Sequence, residues 1–548
     1  MAMFAAAALV AGAAEVKVDF SREVGPVKCV NGVGQPPLVG KLGDWSMMHY
    51  LKDAGIPYSR LHDVGGWLGG GMFVDIPNLF PDFEADENDP ANYRFAYTDS
   101  LVKALDKNGV EPFFRLGVSI ENFAERGFPP VNILPPKDFA KWARVCEHVI
   151  RHYTEGWADG FKMKITYWEI WNEPENHPDP EKNPMWRGDW ESYMRFYGTV
   201  APYLKEKFPH LKIGGYGHCG FYAGVGSDHV AAANSSPRME YFVECSHKFL
   251  AAARDNKWPL DFFSFHSYSN PSETMRQVRF ADEHLSEYGF TADKCERIFN
   301  EWLPYVGHAN LGSALQAAGV AAELIGLQNG PCDVACIYDA RCGTGSYAPL
   351  FNPLACKPHK AYYAFTAFNE LRRRGTAVAA EVSGDKDLWV AAAKGENDAA
   401  VMMANDSDRT IPLECDFQGR AVSVCRITDK NRTDEPVAFP AELPPRSFVL
   451  AIIGLPAESS DVDAMFADSP RRALLSYGKG ALVRNGTAKV ELALAEPGEY
   501  TVYELETSGR RMGTVPSEVV DGMVASVVVG TLLVPGLYVL FCGRCNNK

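Results

Sequence analysis

Ile165-Thr-Tyr-Trp-Glu-Ile-Trp-Asn-Glu-Pro-Glu-Asn176 is the stretch on which the reading of the fold turns. Rich in β-branched and aromatic residues, it reads as a short strand over Ile165–Trp171, with Glu173 just past its C-terminal end. On either side lie convincing helices. Pro135-Pro-Lys-Asp138 opens one that runs to Tyr153, with proline where its missing N–H costs nothing. Asp189–Phe208 follows as another.

Working outward, the same unit recurs. Further strands are expected at Tyr58–Val64, Val110–Leu116, Lys212–Tyr216, Leu260–His266, Glu296–Asn300 and Asp333–Tyr338, with a first one inside Val16–Val33. Helices are expected at Gly43–Ala54, Asp99–Asn108, Arg238–Arg254, Ser272–Tyr288, Gly312–Gln328 and Pro358–Arg374. Eight strand–helix units argue for an α/β protein with a parallel sheet closed into a (β/α)8 barrel over residues 15–376. The glycines at 65–66 and 69–71 follow a strand but match neither a dinucleotide nor a phosphate-binding loop, so no cofactor is expected.

After Thr376 the pattern changes to short strands with polar turns. A β-sandwich is expected over 377–455, and a second β-rich module over 456–548, joined by the polar link Pro456–Asp461. Strand candidates in that last module are Lys489–Leu494, Tyr500–Leu505 and Leu537–Phe541. The first residues, Met1–Glu15, form a short apolar run ending in small residues; residues 1–14 read as a signal-peptide remnant, and a secreted or periplasmic protein is expected.

Bulk properties narrow the partners. The 548 residues carry a net charge of −15, and the longest basic run is Arg372-Arg-Arg374. Long-range repulsion therefore disfavours nucleic acid, anionic membranes and polyanions. Eleven tryptophans suit a carbohydrate site, since sugar C–H faces stack on indole rings, although most aromatics fill cores. Among thirteen cysteines, the set Cys332, Cys336, Cys342 and Cys356 reads as buried thiols or one or two disulfides near a loop. Cys542-Gly-Arg-Cys545 has no second pair to complete a zinc site, and no metal is expected.

Catalytic groups of such barrels sit at the C-terminal ends of strands. Glu173 and Glu301 both do, on the fourth and seventh strands. Two carboxyls suit glycoside cleavage, in which one donates a proton to the leaving oxygen and the other stays ionised to attack. Asn172, beside Glu173, can donate to a sugar 2-hydroxyl. A metal-dependent barrel would instead need His62, His266 and Glu301 to converge, and no HxH or HExxH string supports it.

Trp171-Asn-Glu-Pro174 together with Asn300-Glu-Trp302 resembles the clan A retaining glycoside hydrolases. Ser59-Arg-Leu-His-Asp63, Tyr97-Thr-Asp99, Pro136–Trp142, His152-Tyr153, Asp261–Tyr268 and Lys357–Tyr362 extend the likeness to glycoside hydrolase family 39, the β-xylosidase and α-L-iduronidase family. The resemblance covers most of residues 16–455. It implies a retaining exo-glycosidase with Glu173 as acid/base and Glu301 as nucleophile, most like a β-xylosidase. By the same resemblance Arg60 and Tyr268 keep Glu301 ionised, and His62, His266 and Trp302 line the terminal-sugar site. Glu175, Asn300 and Leu303 depart from the family pattern and bear on which sugar is taken. α-L-Iduronide, α-L-arabinofuranoside, β-galactoside and β-glucoside are the rival substrates, and an inactive carbohydrate-binding barrel is the rival of another class. The expected partner is a glycoside or oligosaccharide; the oligomeric state is left open.

Overall fold

The computed structural model describes residues 13–37, 46–64, 73–120, 132–225 and 236–455, and strands between 472 and 543. The signal-like run before Ala13, the glycine-rich loop at 65–71, the link at 456–461, the strand expected at 489–494 and Cys545 lie outside the described residues.

Eight parallel strands close a barrel in chain order: β2 (Cys29–Gly34), β3 (Tyr58–Leu61), β4 (Glu111–Leu116), β5 (Tyr167–Ile170), β6 (Lys212–His218), β7 (Phe262–Ser267), β8 (Glu296–Trp302) and β9 (Val334–Ile337). β9 pairs back onto β2, Val33 opposite Ile337, which completes the ring. The crossover helices start where the sequence supplies a cap. Asp138 accepts from the Lys141 amide at the head of Phe139–Thr154, and Asp189 accepts from Ser192 at the head of Trp190–Lys207. Low in the barrel, Phe113, Tyr167, Phe262, Ile298 and Val334 fill the interior as an apolar plug. Above them the lining turns polar, and there the cavity opens.

One segment leaves the expected place. The strand β1 (Ala14–Pro26), which lies within the bounds 15–376 expected for the barrel, pairs instead antiparallel with β12 (Thr376–Ser383), Glu15 opposite Ser383 and Pro26 opposite Thr376. It also runs parallel to Ile411–Asp416. Its outward alternation of buried Val16, Val18 and Phe20 with exposed neighbours suits a sheet with one wet face rather than a barrel strand covered on both. The resulting sheet has nine strands and includes Leu388–Lys394, Asp398–Asn405 and Ser447–Gly454. Beyond residue 455 a second unit carries a four-stranded sheet that pairs Tyr538–Gly543 between Arg472–Ser476 and Tyr500–Leu505, and a separate three-stranded sheet.

Candidate active site

The decisive local feature on β8 is a bulge. Phe265 of β7 pairs with Phe299, but the next residue, His266, pairs with Glu301, so Asn300 is an extra residue on the seventh barrel strand. The insertion lets two consecutive side chains reach inward. Asn300 Nδ2 donates to Glu169 Oε1 at 2.6 Å, and Glu301 extends into the cavity beyond it. It also turns the following residue outward. Trp302, expected to line the sugar site, is fully buried instead between Phe299 and Phe365 of the last barrel helix, and is not among the cavity's lining residues. Strand alternation after the bulge is the reason.

Past β5 the chain turns sharply. Trp171 and Glu173 both adopt left-handed backbone, with φ of 70° and 42°, a cost tolerated when surrounding contacts enforce it. Here Trp171 Nε1 donates to Met185 O and the Glu173 amide donates to Gly217 O at 2.9 Å. Gly217 itself must lack a side chain: a Cβ there would stand 2.7 Å from Asn172 Oδ1. The turn throws the indole outward and Asn172 and Glu173 inward.

Glu301 is gripped from two sides. Arg60 Nη1 donates to Oε1 and the Tyr268 hydroxyl donates to Oε2, each at 2.6 Å. Arg60 is fully buried and also serves Glu169, through Nε at 2.8 Å, and Asn172 Oδ1, through Nη2 at 2.5 Å. One guanidinium thus balances two buried carboxylates. His62 Nε2 lies 3.7 Å from Glu301 Oε1. Burial, with Arg60 beside it, holds His62 well below the usual imidazole range, so it is neutral near pH 7.

Glu173 meets different partners. His266 Nδ1 lies 2.7 Å from its Oε1, and Asn176 Nδ2 donates to Oε2 at 2.7 Å. Arg238 fixes Asn176 through its carbonyl and its side-chain oxygen, at 2.6 and 2.8 Å. Burial pushes Glu173 up, but the His266 and Asn176 contacts outweigh it and hold the carboxyl below its ordinary range. For Glu301 burial prevails: its pKa is raised, with His266 and Arg60 opposing and Glu173 adding to the rise. Because Arg60 is shared with Glu169, it cannot cancel the whole cost of burying Glu301.

Glu301, Glu173, Asn172, Tyr268 and His62 line a cavity of about 540 Å³, whereas Arg60 and His266 lie fully buried behind them, so His266, expected to line the sugar site, meets Glu173 from behind the wall. Among its walls, the sequence reading missed Asp63, Asn176, Arg238, Tyr338, Arg341 and Tyr347. Asp63 accepts from the Tyr338 hydroxyl at 2.7 Å and the Ile120 amide at 3.0 Å. Arg341 is held by Asp339. Asp63 did stand inside the Ser59–Asp63 string, and Asn176 closes the stretch around Glu173; Arg238 stands in the first turn of the helix Pro237–Asp255, Tyr338, Arg341 and Tyr347 follow the last barrel strand, and none of the four carried a motif. Glu175 points away from the cavity into full burial, where its Oε1 accepts from the Cys219 amide at 2.7 Å and desolvation raises it to about 8. Single donor atoms of Glu173, His266 and Glu301 lie within 4.8 Å of one another. That spacing could hold a cation in geometry alone, but the Arg60 guanidinium and Tyr268 hydroxyl already occupy both Glu301 oxygens with donors.

Known proteins share this framework. The family model for glycosyl hydrolases family 39 matches residues 30–313, slightly more than half the chain. A β-xylosidase from Geobacillus stearothermophilus is 26% identical over 223 residues, which is 40% of this chain and 39% of that protein. Among solved structures, a glucosidase from Croceicoccus marinus superposes with a TM-score of 0.62 at 19% identity, covering 81% of this chain and 99% of that one. A GH39 β-xylosidase from Caulobacter crescentus gives 0.56 at 16% identity, over 80% and 99%. At those identities the two structures speak to the fold.

Proposed function

Because this chain belongs to glycosyl hydrolase family 39 and is a glycoside hydrolase, we propose that it removes terminal β-xylosyl residues with retention of configuration. The observation that carries the mechanism is the approach of the two carboxyls, an oxygen of Glu173 and one of Glu301 lying within 4.8 Å. Retaining enzymes set their carboxyls about 5–5.5 Å apart, whereas inverting ones leave roughly 6.5–9.5 Å for a water.

In this reading Glu301 is the nucleophile. Arg60 and Tyr268 orient its two oxygens, one toward the anomeric carbon, and stabilise the carboxylate as it attacks. Glu173 protonates the departing oxygen as that bond breaks, then takes a proton from the water that displaces Glu301. His266 Nδ1, 2.7 Å from Glu173 Oε1, fixes the direction in which that carboxyl faces the leaving oxygen. Asn172 Oδ1 is committed to Arg60, which leaves its amide NH2 for the sugar 2-hydroxyl. A cavity of about 540 Å³ is in the range of pockets that take one small molecule, which supports action at a chain end.

The β-xylosidase relative and the resemblance support xylose as the sugar. A second reading, an α-L-iduronide, draws on the guanidiniums of Arg238 and Arg341 in the cavity wall. Both are already engaged, by Asn176 and Asp339, which favours the neutral sugar. Export is proposed as well, on the apolar run before Glu15, and cell fractionation tests it.

A panel of aryl β-xyloside, β-glucoside, β-galactoside, α-L-arabinofuranoside and α-L-iduronide, with NMR of the first-formed anomer, tests the assignment. Turnover of the β-xyloside giving β-xylose first is expected. Release of the α-anomer would overturn retention, and a preference for the iduronide would overturn the sugar.

A further inference from the structure

The segment that leaves β9 supplies Arg341 and Tyr347 to the cavity wall and then forms a small ribbon, β10 (Phe351–Asn352) against β11 (Lys357–Pro358). Two cysteines flank its first strand. Cys342 follows Arg341, and Cys356 precedes β11. We propose that Cys342 and Cys356 are a dithiol that closes to a disulfide on exchange with a small-molecule disulfide, stapling this wall of the substrate cavity.

Their sulfurs lie 3.9 Å apart, the one thiol–thiol contact among the described residues. Bond formation requires closing that gap to about 2.05 Å. The backbone already brings the two together through one residue, Asn352. Its carbonyl accepts from the Cys356 amide at 2.8 Å and lies 3.6 Å from Cys342 Sγ. Its Oδ1 accepts from the Leu354 and Ala355 amides at 2.9 Å each, which tightens the turn leading into Cys356. Both thiols are half-buried, within reach of a small reagent. The other two cysteines of the sequence cluster differ. Cys332 and Cys336 are fully buried, and the Cys332 thiol is spent on the carbonyls of Arg297 and Val334.

The chemistry balances as two exchanges. Burial, with Cys356 adjacent, pushes the Cys342 thiol up to about 12. The Cys356 thiolate bonds to one sulfur of the reagent, whose S–S bond breaks and releases a first thiol. The Cys342 thiolate then attacks the Cys356 sulfur and releases the second. Two protein thiols are oxidised by two electrons, and the reagent disulfide is reduced to two thiols that take up the protons.

The staple encloses Tyr347 and fixes the residue after Arg341. The Tyr347 carbonyl accepts from the Asp339 amide at 2.7 Å, and its ring stands 5.1 Å from that of Tyr268 and 5.8 Å from that of Tyr338. Tyr268 in turn holds Glu301. A closed segment therefore presents an ordered wall to substrate, where an open one must be ordered on binding.

Full-length protein is incubated with oxidised or reduced glutathione, alkylated, digested and read by mass spectrometry. A peptide pair linked through Cys342 and Cys356, lighter by two hydrogens, is expected in the oxidised sample, and in Cys342→Ser it gives way to glutathione on Cys356. Alkylation of both thiols after oxidation, in protein that remains folded by circular dichroism, overturns the disulfide. The mass readout is independent of glycosidase activity. A second arm, which rests on the proposed reaction, compares KM: the oxidised enzyme is expected to show a KM lower by about threefold, as for ordering one or two side chains. Cys342→Ser is expected to lose that redox response, and an identical KM in the linked and reduced enzymes overturns the effect on the substrate wall.

Discussion

Nδ1 of His266 stands 2.7 Å from Oε1 of Glu173, while Nε2 of the same ring is buried without a hydrogen-bond partner. The imidazole therefore deals with the carboxyl through a single nitrogen, and that nitrogen is also 3.6 Å from Glu301 Oε2. Such a group can orient the acid's carboxyl without competing for substrate.

His266→Asn is expected to raise the Glu173 pKa, because the contact that lowers it is gone. An acid with a higher pKa stays protonated to higher pH, so the alkaline limb of kcat/KM moves up. Turnover of substrates with poor leaving groups should fall further than that of activated aryl glycosides. An unmoved alkaline limb in pH profiles would count against His266 as the contact that lowers the acid.

Glu173→Ala is expected to lower kcat about 10²–10⁴-fold on poor leaving groups, the usual worth of a general acid. On an activated aryl glycoside, azide should restore turnover by entering the space left by the carboxylate, giving the β-glycosyl azide. Glu301→Gln should lose activity on both substrates, with no rescue of the retained product. Product NMR distinguishes the two variants.

Arg60 balances Glu169 and Glu301 where none of the three reaches solvent to a useful degree. Arg60→Met leaves two buried carboxylates uncompensated and is expected to cost about 3–5 kcal/mol of stability at pH 7. Urea unfolding measures it. The loss should shrink at lower pH, where the carboxylates can be neutralised by protonation.

Glu175 is raised by desolvation to about 8, above its unfolded value near 4.5. A raised carboxyl favours the folded state while protonated, so its contribution is full below pH 4.5 and is lost as pH climbs through 8. Glu175→Gln, which stays neutral, should gain stability relative to the parent as pH rises from 5 to 8. Unfolding free energies of both proteins at the two pH values give the comparison; a constant difference would contradict the assignment.

Trp302→Phe should destabilise by about 1–3 kcal/mol through lost packing against Phe299 and Phe365, with KM essentially unchanged. A large rise in KM with intact stability would return this residue to the sugar site.

The barrel was legible in the sequence because strands and helices alternate with clear periods, and because Asp138 and Asp189 stand where helix starts need an acceptor. Glu173 and Glu301 were legible because strand-end motifs announce a position rather than a contact. Trp302 was placed at the sugar site by resemblance, whereas alternation along the strand from the inward Glu301 turns its indole outward onto Phe299 and Phe365. The first barrel strand was expected inside Val16–Val33, and the ring uses Cys29–Gly34, while Ala14–Pro26 just before it pairs with Thr376–Ser383, some 350 residues away.

Local propensity and periodicity thus set, from the sequence by itself, the number of strand–helix units, their order and the two carboxyls at strand ends. Tertiary structure alone decided which side chains meet. Arg60, Glu169, Asn172 and Glu301 are drawn from the second, fourth and seventh barrel strands and their loops, and they become one charge network only when the ring closes. Arg238, from the first turn of the helix Pro237–Asp255, and Arg341 and Tyr347, from the loop after the last barrel strand, join the cavity only once that ring closes. The physical reason is range: hydrogen bonds along the chain act within a few residues, whereas the burial that shapes this site acts between residues brought together only by the folded barrel.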